Sequence, residues 1–547
     1  MFRQNINHRQ TDLFNTASCV DPRIRKQLEK SWAPLFYEHV FCKIDEKPFA
    51  QLYVEQTGRP NFPVNILLGL EILAAFKDYT VEEMLEQFHF NYQVQWALGI
   101  RNIGECPLAE RTVYYFRERL YLHALRNPGK DDLIYRQFQA VTQHLVEFMG
   151  LTTHEMRMDS TMLMSNIRKA GKLSLAYDVL CKALKAIPPE LLPPELAEVL
   201  KPEYKTKLLY RTKARELSGR FQEMLRLCST LLERVADHHD LKQHEAIRNV
   251  ERFLQEKGEF DSESQEWVGK KPTSASNHLQ SAHDPDATCR KKGDEVHVGY
   301  VANIAETCSD DNPVQIIADY ALEKNNVADQ TMAHESIPYL ASAYGVEDLY
   351  VDGGYSGESV NKTASDCDVR MYYTNMTGKE SGKIPVTEFV IDGDIVTQCP
   401  SGHCPVLSVH DKETGVIITH FDKEICQACP LVHSCPARPG KVDFCLRITP
   451  KQRVAAETRK QIQDDERHRI NTSKRAAIEG TNSALKRSHG VRKLRVRRHH
   501  RCRIIFGLKM MARNFKQLLR FATGDVRRSI QDARRRKAKL APTGAAA

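Results

Sequence analysis

Two aspartates follow segments that predict β-strands. Asp159 comes after the alternating stretch HEMRM, and Asp352 comes after the apolar stretch LYV. Alternation and short apolar runs are typical of strands, and both aspartates precede turn-forming or polar residues. Carboxylates at the ends of neighbouring strands can point into one crevice at a sheet edge, so the pair predicts a shared site. A single Asp at such a position is more often a turn former or a helix cap.

A third carboxylate lies in the segment RAAIEGTNSALKR. On one continuous helix, Glu479 would share a face with three polar side chains, those of Arg475, Asn482 and Lys486. An ordinary salt-bridged helix would explain the charges equally well. Gly480 favours a functional role, because glycine costs a helix interior about 1 kcal/mol.

Cysteines predict a metal site. CPSGHC (399–404) and CQACPLVHSC (426–435) place short cysteine clusters some twenty residues apart, a spacing that fits a structural four-thiolate zinc site. Cys426 and Cys429 form its firmest part. The spacing leaves the fourth ligand open among Cys399, Cys404, His403 and His433. An iron–sulfur cluster or unmetallated thiols are the alternatives.

Positive charge is concentrated at the C-terminus. Residues 475–547 carry 21 Lys and Arg against three Asp and Glu, or +18, whereas residues 1–474 carry −9 within the total of +9. Such a gradient indicates a surface that binds a polyanion. For the last residues, 522–547, we favour the simpler interpretation of a disordered, solubilising tail.

The elements that would position these groups form a mixed pattern. Helices dominate residues 1–150, which suit either a helix-turn-helix-like DNA-binding unit or a plain helical bundle. Strand patterns appear near 156–159 and between 295 and 352, interrupted by a second helical stretch. An α/β core with two insertions follows. There is no apolar run long enough to span a membrane and no signal-peptide pattern, so we expect a cytoplasmic protein.

Three segments together resemble the acidic motifs of the DDE transposases of bacterial insertion sequences. They are RMDST, YVDGGYSG and RAAIEGTNSALKR, and they are similar to those of the group numbered eleven-eighty-two, which has a Cys-rich insertion. The resemblance implies Asp159, Asp352 and Glu479 as catalytic residues on a ribonuclease-H-like mixed sheet with helices on both faces. Arg475 and Lys486 match the basic residues that flank the Glu in that family. The family's Tyr, three positions before the Arg, is replaced here by Thr472.

The resemblance also implies a division of the chain. The expected parts are 1–150, an N-terminal all-α domain that binds DNA ends; 151–170, the first part of the catalytic core; 171–284, a helical insertion and linker; 285–384, the second part of the core; 385–450, a zinc-ribbon-like insertion; 451–521, the end of the core with basic helices; and 522–547, the tail.

The implied chemistry is metal-dependent cleavage and strand transfer of DNA. Two Mg²⁺ or Mn²⁺ ions would be bound by the three carboxylates, with Asp159 bridging both. In the family the zinc ligands would be Cys399, Cys426, Cys429 and Cys435. DNA contacts are expected from Arg475, Asn482, Lys486, Arg487, Arg492, Lys493, Arg495, Arg497 and Arg498.

The implied partners are double-stranded DNA, as terminal inverted repeats and target, and a second copy of the chain to hold the other end. The implied location is the nucleoid. Two other functions remain open: an inactive DNA-binding relic of a transposase, and a metal-dependent nuclease without strand transfer.

Overall fold

A computed structural model describes residues 1–10, 15–54, 58–127, 132–271, 276–376 and 382–524 of the protein. Most of the predicted tail, from residue 525 onward, lies outside the described residues. The N-terminal region is helical, as predicted. Its helices are α1 (Thr16–Cys19), α2 (Pro22–Glu29), α3 (Trp32–His39), α4 (Val64–Lys77), α5 (Val81–Phe90), α6 (Tyr92–Ala97), α7 (Glu110–Arg126) and α8 (Leu133–Met149).

One strand separates these helices from a second helical region. The elements are β1 (Glu155–Leu163), α9 (Lys172–Leu184), α10 (Pro194–Val199), α11 (Pro202–Tyr210), α12 (Leu217–Arg234), α13 (His239–Gln243) and α14 (Glu245–Lys257). The polar stretch that follows begins with a hairpin, β2 (Gly258–Asp261) and β3 (Glu266–Gly269), where the sequence predicts a linker. Phe260 and Trp267 pack across this hairpin with ring centroids 5.7 Å apart, a cross-strand contact that stabilises it.

The middle of the chain supplies most of the central sheet. Its elements are β4 (Thr288–Lys292), β5 (Glu295–Thr307), β6 (Ile317–Lys324), α15 (Asp329–Tyr344), β7 (Asp348–Val351), α16 (Glu358–Asp366) and β8 (Arg370–Tyr373). The Cys-rich segment follows with β9 (Val390–Asp392), β10 (Ile395–Gln398), β11 (Leu407–Asp411), β12 (Val416–Asp422), α17 (Lys423–Gln427), β13 (Arg438–Pro439) and β14 (Asp443–Ile448). Four helices complete the described chain: α18 (Pro450–Asp464), α19 (His468–Ala476), α20 (Ile478–Ser488) and α21 (His499–Ala522).

The central sheet is mixed and six-stranded, which confirms the predicted mixed α/β class. Its order is β4-β5-β1-β7-β8, with β6 also paired to β5. β1 pairs antiparallel to β5 and parallel to β7, and β7 pairs parallel to β8. Asp159 therefore lies on β1, and Asp352 directly follows β7, the parallel strand beside it.

Helices cover both faces of the sheet. On one face, α15 and α16 pack on Met156, Met158 and their neighbours. On the other, the long helix α21 lies between the sheet and the N-terminal helices, so that all three share one hydrophobic core. Phe36 and Phe515 meet edge to face in that core with centroids 5.0 Å apart. The helical region 171–284 and the Cys-rich segment each have a hydrophobic cluster of their own.

Two predicted element boundaries are wrong. The strand expected to end at Asp159 continues to Leu163, because β5 pairs with it along its length from Met156. The helix expected across 475–487 is two helices, separated at Ala477. The carbonyl oxygen of Lys474, which would accept the next helical hydrogen bond, instead accepts one from Arg157 Nη1 at 3.1 Å.

Among the residues that the structure describes, no helix is both long and apolar enough to cross a bilayer.

Candidate active site

Asp159 lies in the middle of the central strand β1 and is largely buried. Its Oδ1 accepts a hydrogen bond from Arg475 Nη2 at 2.9 Å, and its Oδ2 accepts one from Asn482 Nδ2 at 2.9 Å. Burial raises the pKa of the Asp159 carboxyl; Arg475 opposes that rise, and the Asp352 carboxylate adds to it. Its side chain is thus oriented on both oxygens by groups far away in sequence.

Asp352 follows β7 and caps the short turn after it. Its Oδ1 accepts from the backbone N–H of Gly354 at 2.8 Å, and its Oδ2 accepts from Arg475 Nη2 at 3.3 Å. Gly353 is required by close approach, since a Cβ there would lie 2.1 Å from the carbonyl oxygen of Asn375. Gly353 therefore shapes the turn that presents Asp352.

Glu479 lies in the first turn of α20 and is the most exposed of the three carboxylates, with 63% of its side chain accessible. Its Oε1 accepts from Arg475 Nη1 at 2.9 Å. A single guanidinium group, that of Arg475, therefore contacts all three predicted carboxylates. The fold brings together residues that the sequence separates by more than 300 positions.

Two lysines lie beside this cluster. Burial and the nearby Lys292 lower the pKa of Lys486, whereas the Asp159 carboxylate raises it. Lys292, at the end of β4, also contributes to the electrostatic environment of Asp159. Lys486 was predicted from sequence, whereas Lys292 was not.

A fourth carboxylate, also missed from sequence, approaches the site. Asp329 begins α15 and forms an ion pair with Arg290 of β4, with both of its oxygens 3.3 Å from guanidinium nitrogens. Its carboxylate lies near Gly354 and, with Asp159 and Asp352, adds to the rise that burial causes in the pKa of Tyr355. In the sequence, the only sign of these additional charges was the cluster of cations in the segment TCRKKG, which contains Arg290. The position of that segment beside the site depends on the pairing of β4 with β5.

The predicted DNA-binding residues differ in whether their side chains contact other parts of the chain. Arg487, Arg492 and Lys493 are exposed along the stretch after Glu479. Other members form contacts within the chain. Arg495 Nη2 lies 3.2 Å from Asp78, Arg497 Nε donates to the carbonyl oxygen of Asn166 at 2.8 Å, and Arg498 pairs with Glu245.

A cleft of about 650 Å³ adjoins this basic segment. Helices α4, α5 and α7 form one wall with Tyr114 and Tyr115, and α21 with Lys493 and Arg495 forms the other. Basic residues and aromatic rings thus share one groove.

The four predicted zinc ligands surround a small cavity. Cys399, Cys426, Cys429 and Cys435 all line it, as does His403 among the alternatives for the fourth ligand. Burial and the three neighbouring thiols raise the pKa of Cys426 to about 11. All fifteen cysteines are free thiols.

Whether the possible metal ligands lie close enough together to coordinate an ion is a separate matter. Within the described ranges, no three His, Cys, Asp or Glu side chains are close enough together to coordinate one ion as they stand. The zinc prediction is therefore not confirmed, and the guanidinium of Arg475 lies among the three carboxylates.

Two family models match the chain. Residues 398–519 match a model described as "Transposase DDE domain", which includes Glu479, Arg475 and Lys486. Residues 24–119 match one described as "Transposase domain (DUF772)", which covers the helices α3 to α6 and most of α2 and α7. Both matches support a DDE transposase of insertion-sequence type. No curated protein and no solved structure matches the chain.

Proposed function

We propose that this transposase cleaves and joins DNA strands at Asp159, Asp352 and Glu479. The observation that carries the proposal is the position of Arg475, whose guanidinium contacts all three carboxylates. A site that surrounds one cation with three carboxylates has the donor chemistry that Mg²⁺ and Mn²⁺ prefer. These three carboxylates are the residues that would hold two divalent ions once Arg475 gives way to them.

The ions, when bound, would stabilise the charge on the attacking and leaving oxygens of the phosphodiester. The protein's own residues prepare for this. Asn482 and the Gly354 N–H each fix one carboxylate oxygen, so that the remaining oxygens face the position that Arg475 now occupies. Asp159 must be ionised to act as a ligand, and the adjacent Arg475 favours that ionised form despite burial.

The fold supports a ribonuclease-H-like catalytic core. The strand order places β1, with Asp159, at the centre and β7, which leads to Asp352, directly beside it in parallel. The predicted division into core parts, N-terminal domain, two insertions and tail accompanies this proposal. In that division the helical and Cys-rich insertions interrupt the core and have separate hydrophobic clusters.

Double-stranded DNA is the proposed substrate. Lys486 and Lys292 place two cations next to Asp159, where a phosphate would lie during reaction. Arg487, Arg492 and Lys493 extend the positive surface towards the cleft whose other wall belongs to the N-terminal helices. Such cations release counterions from DNA and fix its position without reading its sequence. We expect a homodimer that holds the two ends, and a nucleoid location.

Zinc is a separate proposal. The four thiols around one cavity, Cys399, Cys426, Cys429 and Cys435, fit a closed structural site that takes no part in the reaction.

The test is cleavage of a labelled duplex carrying the ends of the element, with Mg²⁺ or Mn²⁺. Wild type should cut at the ends, and Glu479→Gln should bind DNA but not cut. Glu457→Gln is the matched control, because Glu457 forms an equivalent exposed pair with Arg453 four residues before it, at 3.1 Å on α18.

Each other outcome rejects part of the proposal. If Glu479→Gln cuts as well as wild type, Glu479 belongs to an ordinary salt-bridged helix. If all three proteins bind the ends and none cuts, the chain is a DNA-binding relic. Cleavage without any joined product or end preference would indicate a nuclease.

A further inference from the structure

Glu479 is poorly held by its own surroundings. Its side chain is mostly exposed, and Arg475 is the one hydrogen-bonding partner it has among the described residues. Its position relative to Asp159 therefore depends on how the helix α20 is fixed to the sheet. A carboxylate that must share ions with two others needs that placement to within a fraction of an ångström.

A buried ion pair lies directly beneath this helix. Arg157 on β1 and Glu306 on β5 are opposite each other in the antiparallel register. Arg157 Nε and Nη2 lie 3.0 Å and 2.7 Å from Glu306 Oε2, and the side chains are only 10% and 2% exposed. Such a buried pair is costly to desolvate, and apolar residues of similar volume often stabilise a fold as well or better. The pair is therefore weak evidence for stability, and its other contacts indicate a second role.

Both members of the pair reach beyond the sheet. Glu306 Oε1 accepts a hydrogen bond from Thr481 Oγ1 at 2.7 Å, two residues after Glu479. Arg157 Nη1 donates to the carbonyl oxygen of Lys474 at 3.1 Å, one residue before Arg475. The pair thus fastens the end of α19 and the start of α20, on either side of the break at Ala477.

The same strand carries the first carboxylate. Arg157 precedes Asp159 by two residues, so both side chains lie on one face of β1. Arg157, two residues before Asp159 on β1, is therefore joined through Glu306 to Thr481, two residues after Glu479 on α20.

We propose that Arg157, Glu306 and Thr481 are positioning residues that set the third carboxylate against the first. This inference rests on the proposed function, since it assumes that the carboxylates share metal ions. Thr481 is the informative member, because its hydroxyl can be removed at nearly constant shape while the ion pair remains.

The experiment measures Mn²⁺ binding to the full chain by titration calorimetry, without DNA. Thr481→Val should weaken Mn²⁺ binding by about 10- to 100-fold, as the loss of groups that orient metal ligands does. Thr481→Ser, which retains the hydroxyl, should bind Mn²⁺ nearly as wild type does. This rescue separates positioning from a general structural role.

The matched control is Thr142→Val. Thr142 is fully buried and its hydroxyl accepts from Asn514 Nδ2 at 3.1 Å, between α8 and α21. Its substitution should lower the thermal midpoint and leave Mn²⁺ affinity unchanged. Thr481→Val could lower the thermal midpoint more than this control does. In that case Mn²⁺ binding by Thr481→Ala and Thr481→Ser is compared at a temperature below the thermal midpoints of both variants. Weaker binding by the alanine variant supports the inference.

Two results would be distinguished. Equal Mn²⁺ affinity in wild type and the valine or alanine variant, with weaker binding by Glu479→Gln, overturns the positioning inference alone. No difference between wild type and Glu479→Gln overturns the proposed metal site itself.

Discussion

At the scale of single residues, Arg475 is the centre of the site. It lies where three carboxylates converge, and its charge lowers the pKa of Asp159 against the effect of burial. The sequence placed it on the same helix face as Glu479, but the structure gives it a wider role. Any metal ion would share the oxygens that Arg475 now contacts.

We predict that acidification weakens Mn²⁺ binding at a higher pH than it would if Asp159 had the pKa of an ordinary aspartate. A proton competes with the metal for Asp159, whose pKa is raised, so affinity is present above that pKa and lost as pH falls through it. Arg475→Gln removes the group that opposes the rise and should move the loss to still higher pH. Calorimetric titrations between about pH 4.5 and 8 would measure this.

Arg453→Gln provides the control, since Arg453 pairs with Glu457 on an exposed helix face. Its profile should match wild type. An unshifted profile for Arg475→Gln would show that Asp159 does not bind the ion.

At the scale of elements, turns and helix boundaries determine the geometry. The turn after β7 presents Asp352 because Gly353 allows the chain to pass against Asn375. At the break between α19 and α20, the carbonyl oxygen of Lys474 accepts a hydrogen bond from the Arg157 side chain of β1, and residues 474–478 contain no Gly or Pro. The Cys-rich insertion brings four thiols to one cavity through its own small sheet.

Gly353→Ala should destabilise the protein by about 1–3 kcal/mol, because its Cβ would overlap backbone that must shift. Gly480→Ala should instead stabilise it by about 0.5–1 kcal/mol, because Gly480 has open space around it within α20. Denaturant unfolding of both variants measures the difference. Equal effects would contradict the predicted role of the turn.

Purified protein should contain zinc bound by the Cys-rich insertion. Cys426→Ser should lose it, since Cys426 and three other thiols line one cavity. Cys367→Ser, outside that cavity, should retain it. Mass spectrometry measures the zinc content of the three proteins. If wild-type protein produced in zinc-containing medium contains no zinc, the proposed site is rejected.

At the scale of the whole molecule, the central sheet and the N-terminal helices lie on either side of α21. A shared core joins the sheet to the N-terminal helices through α21, so the basic segment before α21 lies between them. Part of the C-terminal positive charge, from Lys493, Arg495, Arg501 and Lys509, therefore lines the cleft.

Replacing Arg487, Arg492 and Lys493 by Ala should make DNA binding less dependent on salt. Each lost phosphate contact reduces the slope of log K against log salt by about 0.9, so the triple variant should be shallower by about 2 to 3. Fluorescence anisotropy at several salt concentrations measures it. The matched triple variant at Lys207, Arg211 and Lys213, exposed on the helical insertion, should keep the wild-type slope; equal slopes for all would place the DNA elsewhere.

The sequence by itself determined the candidate residues, their order, the mixed α/β class and the charge gradient. These depend on local periodicity, residue chemistry and composition, which a single chain displays directly. The helical N-terminus and the strands around Asp159 and Asp352 were predicted for the same reason, although the first strand extends further than its own residues indicate.

Tertiary structure alone decided what surrounds the carboxylates. Arg475 and Asp159 are 316 residues apart, and Thr481 and Glu306 are 175 apart. The approach of Asp329 and Lys292 likewise depends on strand pairing. Such contacts arise from packing between distant elements, and the energies that select them are shared across the core, so no local pattern in the sequence records them.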